Sequence, residues 1–432
     1  MASLTIIPSP LKGTIQSQPS KSMAHRAIIC AALSEGESVI DNIIMSDDIQ
    51  ATINAVKALG TDVSISESTS FAGRKCLTIK SEGTISIRNN LINCSESGST
   101  ARFIMPVTRL VADTVTITGC GRLVERPFSV YKSLFAEKGV KYTDSDGKMP
   151  ITLEGSLKPG IYELPGDISS QFVSGLLFTL PLLGGPSKII ITNKLESLPY
   201  IKMTLKAIED FGIKVNHDKE FKIFDIPGNQ SYLAKPYYVV EGDWSQAAFF
   251  CVMGSISDGI LIEGLDRDSL QGDKAILDIL KEMGANPEIK DNGILFKRSK
   301  LRGIEVDASQ IPDLVPIISV AASLAEGTTT IKNAARLRIK ESDRLATTCH
   351  ELNSIGANII EKEDGLVING APHLSGGKAD GCGDHRIVMS LAAASLACQE
   401  PVTITGFEAV KKSYPGFWED FKTLGGKVEI HE

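Results

Sequence analysis

The chain has 432 residues, of which 42% are hydrophobic and 22% are charged, and its formal net charge at pH 7 is −7. This length is too great for one ordinary hydrophobic core and predicts two or three domains, while the composition is typical of a globular protein in water. The negative charge disfavours nucleic acid and anionic membranes as partners, so any anion site must concentrate Lys and Arg locally.

The sequence contains no recognisable targeting segment and no metal-binding cysteine motif. Its eight cysteines form no C-x-x-C pair and lie at no metal-ligand spacing with a histidine, which indicates buried thiols in a reducing compartment. No basic segment followed by a long apolar one begins the chain, and no apolar run is long enough to span a membrane. We therefore expect a cytoplasmic protein.

A pattern of a short β-branched strand, a polar turn, an amphipathic helix, a glycine and a second strand occurs six times. The predicted first strands are Ser38–Asn42, Thr114–Thr118, Lys188–Thr192, Gly259–Ile262, Thr329–Asn333 and Pro401–Thr405. The glycines are Gly60, Gly139, Gly212, Gly284, Gly356 and Gly425, with successive spacings of 79, 73, 72, 72 and 69 residues. Such a repeat indicates six copies of one structural unit.

A further predicted helix precedes each of these strands and is apolar on nearly every face, so it is buried on all sides. These helices are predicted at Ala24–Leu33, Ala101–Ala112, Phe172–Leu183, Ala247–Ile256, Leu314–Ala325 and Ile387–Ala397. Polar cap residues precede them, and the unpaired N–H groups and positive dipole of a buried helix start can bind an anion. At any single start, ordinary capping is the alternative.

The repeat predicts an α/β protein with two domains of three units each. Units 1–3 would run from about residue 20 to 240 and units 4–6 from about 241 to 432, while the first strand, Leu4–Ile7, could complete either half. Cations at unit junctions in both halves would hold a polyanionic small molecule in a cleft that assembles on domain closure.

Three clusters in the first half place donors at predicted helix starts. Lys21, Ser22 and Arg26 surround the first turn of a buried helix; their spacing does not fit a nucleoside-triphosphate loop, and a solvated lysine near a cap is the alternative. Gly98 lies where backbone could approach a ligand closely and precedes hydroxyl donors. The triplet Ser169-Ser170-Gln171 offers neutral donors to phosphate oxygens, with a variant capping box as the alternative.

The strongest cluster is Lys340-Glu341-Ser342-Asp343-Arg344. Lys340 and Arg344 are four residues apart, which predicts that they share one helical face, with Glu341 between them in sequence. A salt-bridged surface helix is the alternative. A carboxylate flanked by cations is suited to acid–base chemistry, and Asp313, at the start of a buried helix, could divide deprotonation and protonation with Glu341.

Three more cations occupy similar junctions. Arg126 precedes a proline at a helix start, where plain surface charge is the alternative. Arg386 follows His385, for which no partner histidine or cysteine is spaced to bind a metal, so we expect no metal site. Lys412 repeats the pattern, although the sequence does not say whether Lys411 or Lys412 points inward.

Nine segments in this order form a specific pattern. They are Pro19–Ser22, Ser97–Arg102, Glu125–Pro127, Gly166–Phe172, Val240–Asp243, Ile311–Asp313, Lys340–Arg344, Asp384–Arg386 and Lys412–Pro415. On these segments the chain resembles the 5-enolpyruvylshikimate-3-phosphate synthase (3-phosphoshikimate 1-carboxyvinyltransferase) family along essentially its whole length.

The resemblance implies a two-domain enolpyruvyl transferase fold with six βαβαββ-type units, helices buried within sheets and an active-site cleft between the domains. Residues 1–20 plus 241–432 would form one domain (units 4–6) and residues 21–240 the other (units 1–3). The implied reaction transfers the enolpyruvyl group of phosphoenolpyruvate to the 5-hydroxyl of shikimate 3-phosphate and releases phosphate through a tetrahedral adduct, in aromatic amino-acid biosynthesis. It needs no metal or organic cofactor, and we expect a monomer.

The resemblance also implies roles for individual residues. Phosphoenolpyruvate would be bound by Lys21, Gly98, Arg126, Arg344, Arg386 and Lys412. Shikimate 3-phosphate would be bound by Ser22, Arg26, Ser169, Ser170, Gln171, Ser197, Tyr200, Asp313 and Lys340. Glu341 would protonate the methylene carbon, Asp313 would accept the hydroxyl proton, and Lys21 would protonate or electrostatically support the leaving phosphate.

One residue departs from the family pattern, and two other functions stand as alternatives. Arg336 stands where many members have an Asn that contacts shikimate 3-phosphate, so that contact is not carried over. Gly98 leaves room beside phosphoenolpyruvate, which indicates a glyphosate-sensitive type. A UDP-N-acetylglucosamine enolpyruvyl transferase is an alternative, although Cys120 is one residue out of register with the reactive cysteine of that family. A non-catalytic phosphate-metabolite binding protein would not need both Asp313 and Glu341.

Overall fold

In the computed structural model, which describes residues 2–431, the chain forms twelve α-helices and twenty-five β-strands. The helices are α1 Lys21–Leu33, α2 Asp47–Ala58, α3 Gly98–Val107, α4 Ser129–Glu137, α5 Ser170–Thr179, α6 Leu198–Asp210, α7 Trp244–Ile256, α8 Ile276–Glu282, α9 Val315–Ser323, α10 Arg344–Ser354, α11 His385–Ser395 and α12 Phe417–Thr423.

The strands are β1 Ser3–Ile7, β2 Gly13–Gln16, β3 Ser34–Ile43, β4 Asp62–Glu67, β5 Lys75–Glu82, β6 Leu91–Asn93, β7 Val115–Thr118, β8 Lys141–Ser145, β9 Lys148–Glu154, β10 Ile161–Leu164, β11 Ser187–Ile191, β12 Asn216–His217, β13 Ile223–Ile226, β14 Tyr232–Leu233, β15 Tyr238–Val239, β16 Ile260–Glu263, β17 Glu288–Ile289, β18 Gly293–Phe296, β19 Glu305–Asp307, β20 Thr328–Lys332, β21 Asn358–Lys362, β22 Gly365–Asn369, β23 Gly377–Asp380, β24 Val402–Thr405 and β25 Lys427–His431.

Within the described residues the strands form six small sheets with a recurring topology. The strand orders are β14-β3-β5-β4 with β15 also on β3, β6-β7-β9-β8, β10-β11-β13-β12, β17-β18-β16-β2, β19-β20-β22-β21 and β23-β24-β1-β25. In the third sheet, for example, β10 runs parallel to β11, with Ile161 opposite Lys188, and β13 runs antiparallel to β11, with Ser187 opposite Ile226. A parallel pair requires a crossover connection, here α5, so this sheet carries a βαβ element. The predicted α/β class with six repeated units is confirmed.

The odd-numbered helices are the buried ones that the sequence predicts. In α7, for example, every residue except Ser245 and Ile256 is buried. Helices of this kind have no polar face and form the hydrophobic core. The predicted ends Ala325 and Ala397 overshoot by two residues, and Ala112 and Leu183 by more, because α3 and α5 pass into tighter 3₁₀ turns at Thr108–Leu110 and Leu180–Leu182.

The even-numbered helices are half-exposed and end near the six repeated glycines. The φ angles of Gly60, Gly139, Gly212, Gly284, Gly356 and Gly425 are 104°, 76°, 87°, 104°, 102° and 98°. A side chain is strained in this left-handed region, so glycine is the residue that lets the chain turn from the helix into the next strand. The spacing of the glycines in the sequence therefore reports a repeated backbone conformation.

The chain divides into two compact units. One, here called the continuous unit, comprises Pro19–Glu241, and the other, here called the split unit, comprises Met1–Gln18 and Gly242–Glu432. Each has its own hydrophobic core and three of the six sheets. The limits at residues 20 and 240 that the sequence indicates remain a prediction about independent domains. Across the residues described, we find no helix with the length and apolar character needed to cross a membrane.

Candidate active site

Five of the six buried helices begin at a side-chain cap. In the described residues, the caps are Ser20 for α1, Ser97 for α3, Ser169 for α5, Asp243 for α7 and Asp384 for α11, each accepting a hydrogen bond from a backbone N–H two or three residues on. The exception is α9, which is preceded by the 3₁₀ turn Pro312–Leu314. These caps position the residues that the sequence singled out.

In the continuous unit, Lys21 and Asp48 form an ion pair at the start of α1. Lys21 is the first residue of that helix, and its Nζ lies 2.6 Å from Oδ2 of Asp48 in the first turn of α2. The Lys21 side chain is 18% exposed, whereas that of Asp48 is 7% exposed. A mostly buried carboxylate therefore orients the ammonium group of Lys21.

A network of buried polar side chains joins α1, α2 and α3. His25 Nδ1 lies 2.6 Å from the Thr52 hydroxyl, and that hydroxyl lies 2.6 Å from the hydroxyl of Thr100. Thr100 in turn donates to the Ser97 hydroxyl at 2.8 Å. Burial lowers the pKa of His25 to about 3, so the ring is neutral at pH 7. This network links the three helices without adding charge to the site.

Gly98 lies against two guanidinium groups. A Cβ placed on Gly98 would be 2.7 Å from Nη1 of Arg126 and 2.9 Å from Nη1 of Arg102, which is closer than real Cβ atoms come to other heavy atoms. Arg102 donates to Gln171 Oε1 at 2.8 Å, and Gln171 Nε2 donates to the Ser99 hydroxyl at 2.8 Å. The structure thus brings together the predicted residues Gly98, Arg126 and Gln171.

The Arg26 guanidinium is buried among protein groups. It donates from Nε to the Thr204 hydroxyl at 2.9 Å, from Nη1 to the Ser22 carbonyl at 2.6 Å and from Nη2 to the Tyr200 carbonyl at 2.9 Å. It is 2% exposed, and the ring of Phe103 lies 5.2 Å from its central carbon. Burial lowers the pKa of Arg26 to about 10, so it stays charged at pH 7. Ser22 and Tyr200 therefore meet Arg26 through backbone oxygens.

Three more predicted residues of the continuous unit lie at helix starts. Ser169 caps α5 by accepting from the Gln171 amide at 3.3 Å, and Ser170, the first residue of that helix, is buried. Ser197 precedes α6 and is buried with a φ of 54°. A non-glycine residue held in the left-handed region is uncommon and marks a constrained backbone.

In the split unit, Arg344 contacts three carboxylates. Its Nε and Nη2 lie 2.8 and 3.2 Å from the two carboxylate oxygens of Asp384, its Nη1 lies 2.8 Å from Asp313 Oδ1, and its Nη2 lies 2.7 Å from Glu341 Oε2. The side chain is 2% exposed, which excludes a surface salt bridge. Burial would lower the pKa of Arg344, but the three carboxylates outweigh burial and raise it.

Asp313 is paired with three cations. Besides Arg344, Arg386 Nη2 lies 3.5 Å from its Oδ2, and Lys340 Nζ lies 3.8 Å from its Oδ1. Arg386 Nη1 also donates to the Asp313 carbonyl at 3.0 Å. Burial would raise the pKa of Asp313, but the charges of Arg386, Lys340 and Arg344 hold it well below its usual range. Asp313 is therefore ionised at neutral pH.

Lys340 and Arg344 do not share a helical face, so that prediction is wrong. Asp343 accepts a hydrogen bond from the Ala346 amide at 3.1 Å and caps α10, which therefore begins at Arg344, while Lys340 follows the 3₁₀ turn Ala335–Ile339. Both cations nevertheless reach the same oxygen of Asp313. Burial lowers the pKa of Lys340 to about 8.

Two basic residues that the sequence left ambiguous have distinct environments. Lys412, at the end of the 3₁₀ turn Phe407–Lys412, is 7% exposed, whereas Lys411 is exposed. Lys412 is therefore the lysine that points into the fold. Arg336 is buried and donates to the Ser309 carbonyl at 2.6 Å.

Sequence reasoning missed three groups that belong to these clusters. Asp48 pairs with Lys21, Asp384 pairs with Arg344, and the Ser245 hydroxyl in α7 accepts a hydrogen bond from Arg386 at 2.6 Å. Asp48 and Ser245 follow the helix caps Ser46 and Asp243, and Asp384 is itself a cap, which is the signal that could have indicated them. Among residues 2–431, no set of three or more His, Cys, Asp or Glu side chains is arranged to hold a metal ion.

A family model described as EPSP synthase (3-phosphoshikimate 1-carboxyvinyltransferase) matches residues 6–421. The chain belongs to this family. The resemblance and the enzyme class inferred from the sequence are thereby confirmed.

Two curated relatives match the chain over nearly their full length. A protein of Clostridium kluyveri named 3-phosphoshikimate 1-carboxyvinyltransferase is 48% identical over 429 residues, covering 99% of both chains. A protein of Clostridium acetobutylicum with the same name is 49% identical over 433 residues, covering 100% of this chain and 99% of that protein.

A solved structure shows the same fold. The EPSP synthase of Acinetobacter baumannii has a TM-score of 0.82 to this chain at 26% identity, with complete coverage of both chains. The likeness therefore extends over all six sheets of this chain.

Proposed function

We propose that this enzyme transfers the carboxyvinyl group of phosphoenolpyruvate to the 5-hydroxyl of 3-phosphoshikimate and releases phosphate. The observation that carries the proposal is the shared pairing of Asp313 and Glu341 with Arg344, at 2.8 and 2.7 Å. Two carboxylates held by one buried cation can serve opposite proton transfers, because their other neighbours differ. The names of the relatives favour 3-phosphoshikimate over UDP-N-acetylglucosamine as the acceptor.

The bound anions require concentrated positive charge, and each unit has Lys and Arg at helix starts and at the ends of 3₁₀ turns. Phosphoenolpyruvate is assigned to Lys21, Gly98, Arg126, Arg344, Arg386 and Lys412. The acceptor is assigned to Ser22, Arg26, Ser169, Ser170, Gln171, Ser197, Tyr200, Asp313 and Lys340. Preorganised cations and N–H groups of this kind usually supply the largest part of transition-state stabilisation.

The proton steps follow from the carboxylates. Protonated Glu341 gives its proton to the methylene carbon of phosphoenolpyruvate, which makes the adjacent carbon electrophilic. The 5-hydroxyl oxygen attacks that carbon while Asp313, which is ionised at neutral pH, accepts the hydroxyl proton. The product is a tetrahedral adduct that carries both substrates.

Loss of phosphate completes the reaction. The carbon–oxygen bond to phosphate breaks, the methyl group returns one proton to Glu341, and the carbon–carbon double bond forms again. Lys21, oriented by Asp48 at 2.6 Å, supports the charge of the leaving phosphate. Asp313 gives up its proton to the released phosphate, so Glu341 ends protonated and Asp313 ends ionised, as each began.

The acceptor is tested by phosphate release from phosphoenolpyruvate, with 3-phosphoshikimate and UDP-N-acetylglucosamine assayed separately. Release with 3-phosphoshikimate alone is expected. Release with the nucleotide sugar alone would reassign the acceptor residues, beginning with Ser169, Ser170 and Gln171. Tight binding without release would identify a non-catalytic binding protein.

The role of Glu341 is tested with the variant Glu341→Gln and with phosphoenolpyruvate whose methylene group carries an isotopic label. The variant should lose exchange of that group with solvent, and a loss of about 10²–10⁴ in rate is typical of a removed acid–base group. Glu363→Gln, an exposed position, is the control. Normal exchange in Glu341→Gln would remove Glu341 from the proton transfer.

The proposal includes a monomeric, cytoplasmic enzyme. Sedimentation velocity over a range of protein concentrations tests the first point, since a monomer keeps a constant sedimentation coefficient. Cell fractionation tests the second.

A further inference from the structure

A buried carboxyl group lies close to the phosphoenolpyruvate residues of the split unit without being one of them. Asp273 is 3% exposed, and its Oδ1 has no hydrogen-bond partner among the described residues. It lies in the 3₁₀ turn Gly272–Ala275. A buried polar atom without a partner is costly and calls for an explanation.

Hydrogen bonds from Gln271 connect the turn that contains Asp273 to the start of α7. The Gln271 side chain accepts from the Trp244 amide at 3.0 Å and donates to the Gly242 carbonyl at 2.7 Å. These two bonds fix the segment beside the helix start that carries Ser245. The position of Asp273 is therefore set by the fold and not by a flexible loop.

One hydroxyl connects Asp273 with Arg386. Ser245 Oγ accepts a hydrogen bond from Arg386 Nη2 at 2.6 Å, and the same hydroxyl is hydrogen-bonded to the Asp273 carboxyl. Because a hydroxyl has one proton to donate, it donates to Asp273 while accepting from Arg386. Arg386 also lies 3.5 Å from Asp313, so two carboxyl groups act on one guanidinium.

The charged neighbours of Asp273 come from three elements. Asp243 lies at the start of α7, Asp313 precedes α9 and Arg386 belongs to α11, while Lys274 on the turn itself is bonded to the Arg267 carbonyl. Burial and the Asp313 carboxylate raise the pKa of Asp273 to about 6, against the opposing effects of Arg386 and Ser245. Asp313 thus stays ionised, and Asp273 is the group that changes charge near neutral pH.

We propose that Asp273 is a positioning residue for Arg386, acting through Ser245, and that it takes up a proton when an anionic substrate binds at Arg386. A negative charge brought near a carboxylate raises its pKa. Protonation of Asp273 removes a like charge from beside the incoming anion and leaves the hydrogen bond from Ser245 in place. This inference rests on the proposed assignment of Arg386 to phosphoenolpyruvate.

KM for phosphoenolpyruvate should increase as the pH rises. Below pH 6, Asp273 is already protonated and does not oppose the anion. As the pH rises through about 6, ionised Asp273 weakens binding, so KM for phosphoenolpyruvate increases. If the bound anion raises the pKa by one unit, the increase is about tenfold.

The test is the pH profile of KM for phosphoenolpyruvate between pH 5 and 8 in the wild type, Asp273→Asn and Asp268→Asn. The first variant imitates the protonated acid and should lose the increase, whereas the second, at an exposed position of the same connection, should keep it. The control also cancels titration of phosphoenolpyruvate itself. An unchanged increase in Asp273→Asn would overturn the proposal, as would a uniform change of KM at every pH.

Ser245→Ala gives a second test if Asp273→Asn does not fold. The Ser245 hydroxyl lowers the pKa of Asp273, so its removal should move the increase in KM to higher pH. An unmoved midpoint would overturn the proposal. If the wild type binds no phosphoenolpyruvate and releases no phosphate, the proposed function fails and this inference with it. Normal turnover with identical profiles in all variants would refute only the role of Asp273.

Discussion

Arg344 and Asp384 form a two-point ion pair, with Nε 2.8 Å from Oδ2 and Nη2 3.2 Å from Oδ1. Asp384 is fully buried and also caps α11 by accepting from the Arg386 amide at 3.0 Å. The Asp384 carboxylate therefore orients the side chain of Arg344 and also holds the backbone N–H of Arg386. Its geometry controls two of the cations assigned to phosphoenolpyruvate.

Asp384→Asn should lower the free energy of unfolding by about 3 kcal/mol, because the buried Arg344 guanidinium loses its two-point partner and keeps only single contacts with Asp313 and Glu341. Neighbouring charge on Arg344 outweighs burial and keeps the pKa of Asp384 below its usual value. The ionised carboxylate therefore stabilises the fold at neutral pH, and the difference between variant and wild type should shrink as the pH falls below about 4. Urea denaturation at pH 7 and pH 3.5 measures both effects.

The matched control is Asp210→Asn, which breaks an exposed ion pair with Lys206 on α6. Such a pair contributes at most about 0.5 kcal/mol. Equal losses in the two variants would contradict the importance assigned to burial.

Lys340 should set an upper pH limit for use of the acceptor. Its pKa of about 8 means that it loses its charge as the pH rises through that value. kcat/KM for 3-phosphoshikimate, which reports the free enzyme, should therefore decrease above pH 8. In Lys340→Arg the decrease should move upward, since arginine stays charged. If kcat/KM decreases at the same pH in the wild type and in Lys340→Arg, a group other than Lys340 causes the decrease.

Gly98→Ala should raise KM for phosphoenolpyruvate at least about tenfold, which corresponds to about 1.4 kcal/mol of binding. The new Cβ displaces the guanidinium tips of Arg126 and Arg102, now 2.7 and 2.9 Å from its position. Stability should change little, because Gly98 is helical and the displaced atoms end flexible side chains. Gly416→Ala, where a Cβ meets open space, is the control. An unchanged KM would mean that neither guanidinium binds the substrate from this side.

Arg26→Lys should lower the free energy of unfolding by about 2 kcal/mol, because lysine cannot make the three bonds to Thr204, Ser22 and Tyr200 together. Chemical denaturation of the variant measures this loss. Lys202→Arg on the neighbouring helix should leave stability nearly unchanged. If Arg26→Lys retains full stability and only KM for the acceptor rises, Arg26 acts as a ligand and not as a support.

The repeat and most helix starts could be predicted because they are local. Each of the six glycines has a left-handed φ. N-cap residues such as Ser20 and Asp384 directly precede the first residue of the helices that they cap. The start of α10 is the exception, because the four-residue spacing of Lys340 and Arg344 favours one helical face, whereas Asp343 between them is an N-cap residue type. Only the hydrogen bond to the Ala346 amide decides between the two possibilities.

The pairing of side chains within the site could not be predicted from the sequence. Asp273 and Arg386 are separated by 113 positions, and Ser245 joins them only because α7 and α11 lie side by side in the core. Likewise, nothing local distinguishes Lys411 from Lys412, whose burial depends on how the turn packs. Long-range packing decides such contacts, and no motif records it.

The first strand of the chain bonds with the last two. β1 lies between β24 and β25, and the Thr5 hydroxyl is 2.9 Å from that of Thr403. The ribosome makes β1 first and its partners last, whereas the strands β3 to β15 all emerge before residue 240. The continuous unit can therefore fold while synthesis proceeds, but β1 must stay unpaired until β24 is made. Loss of the final strand in a truncated product would leave an apolar N-terminal segment open to aggregation.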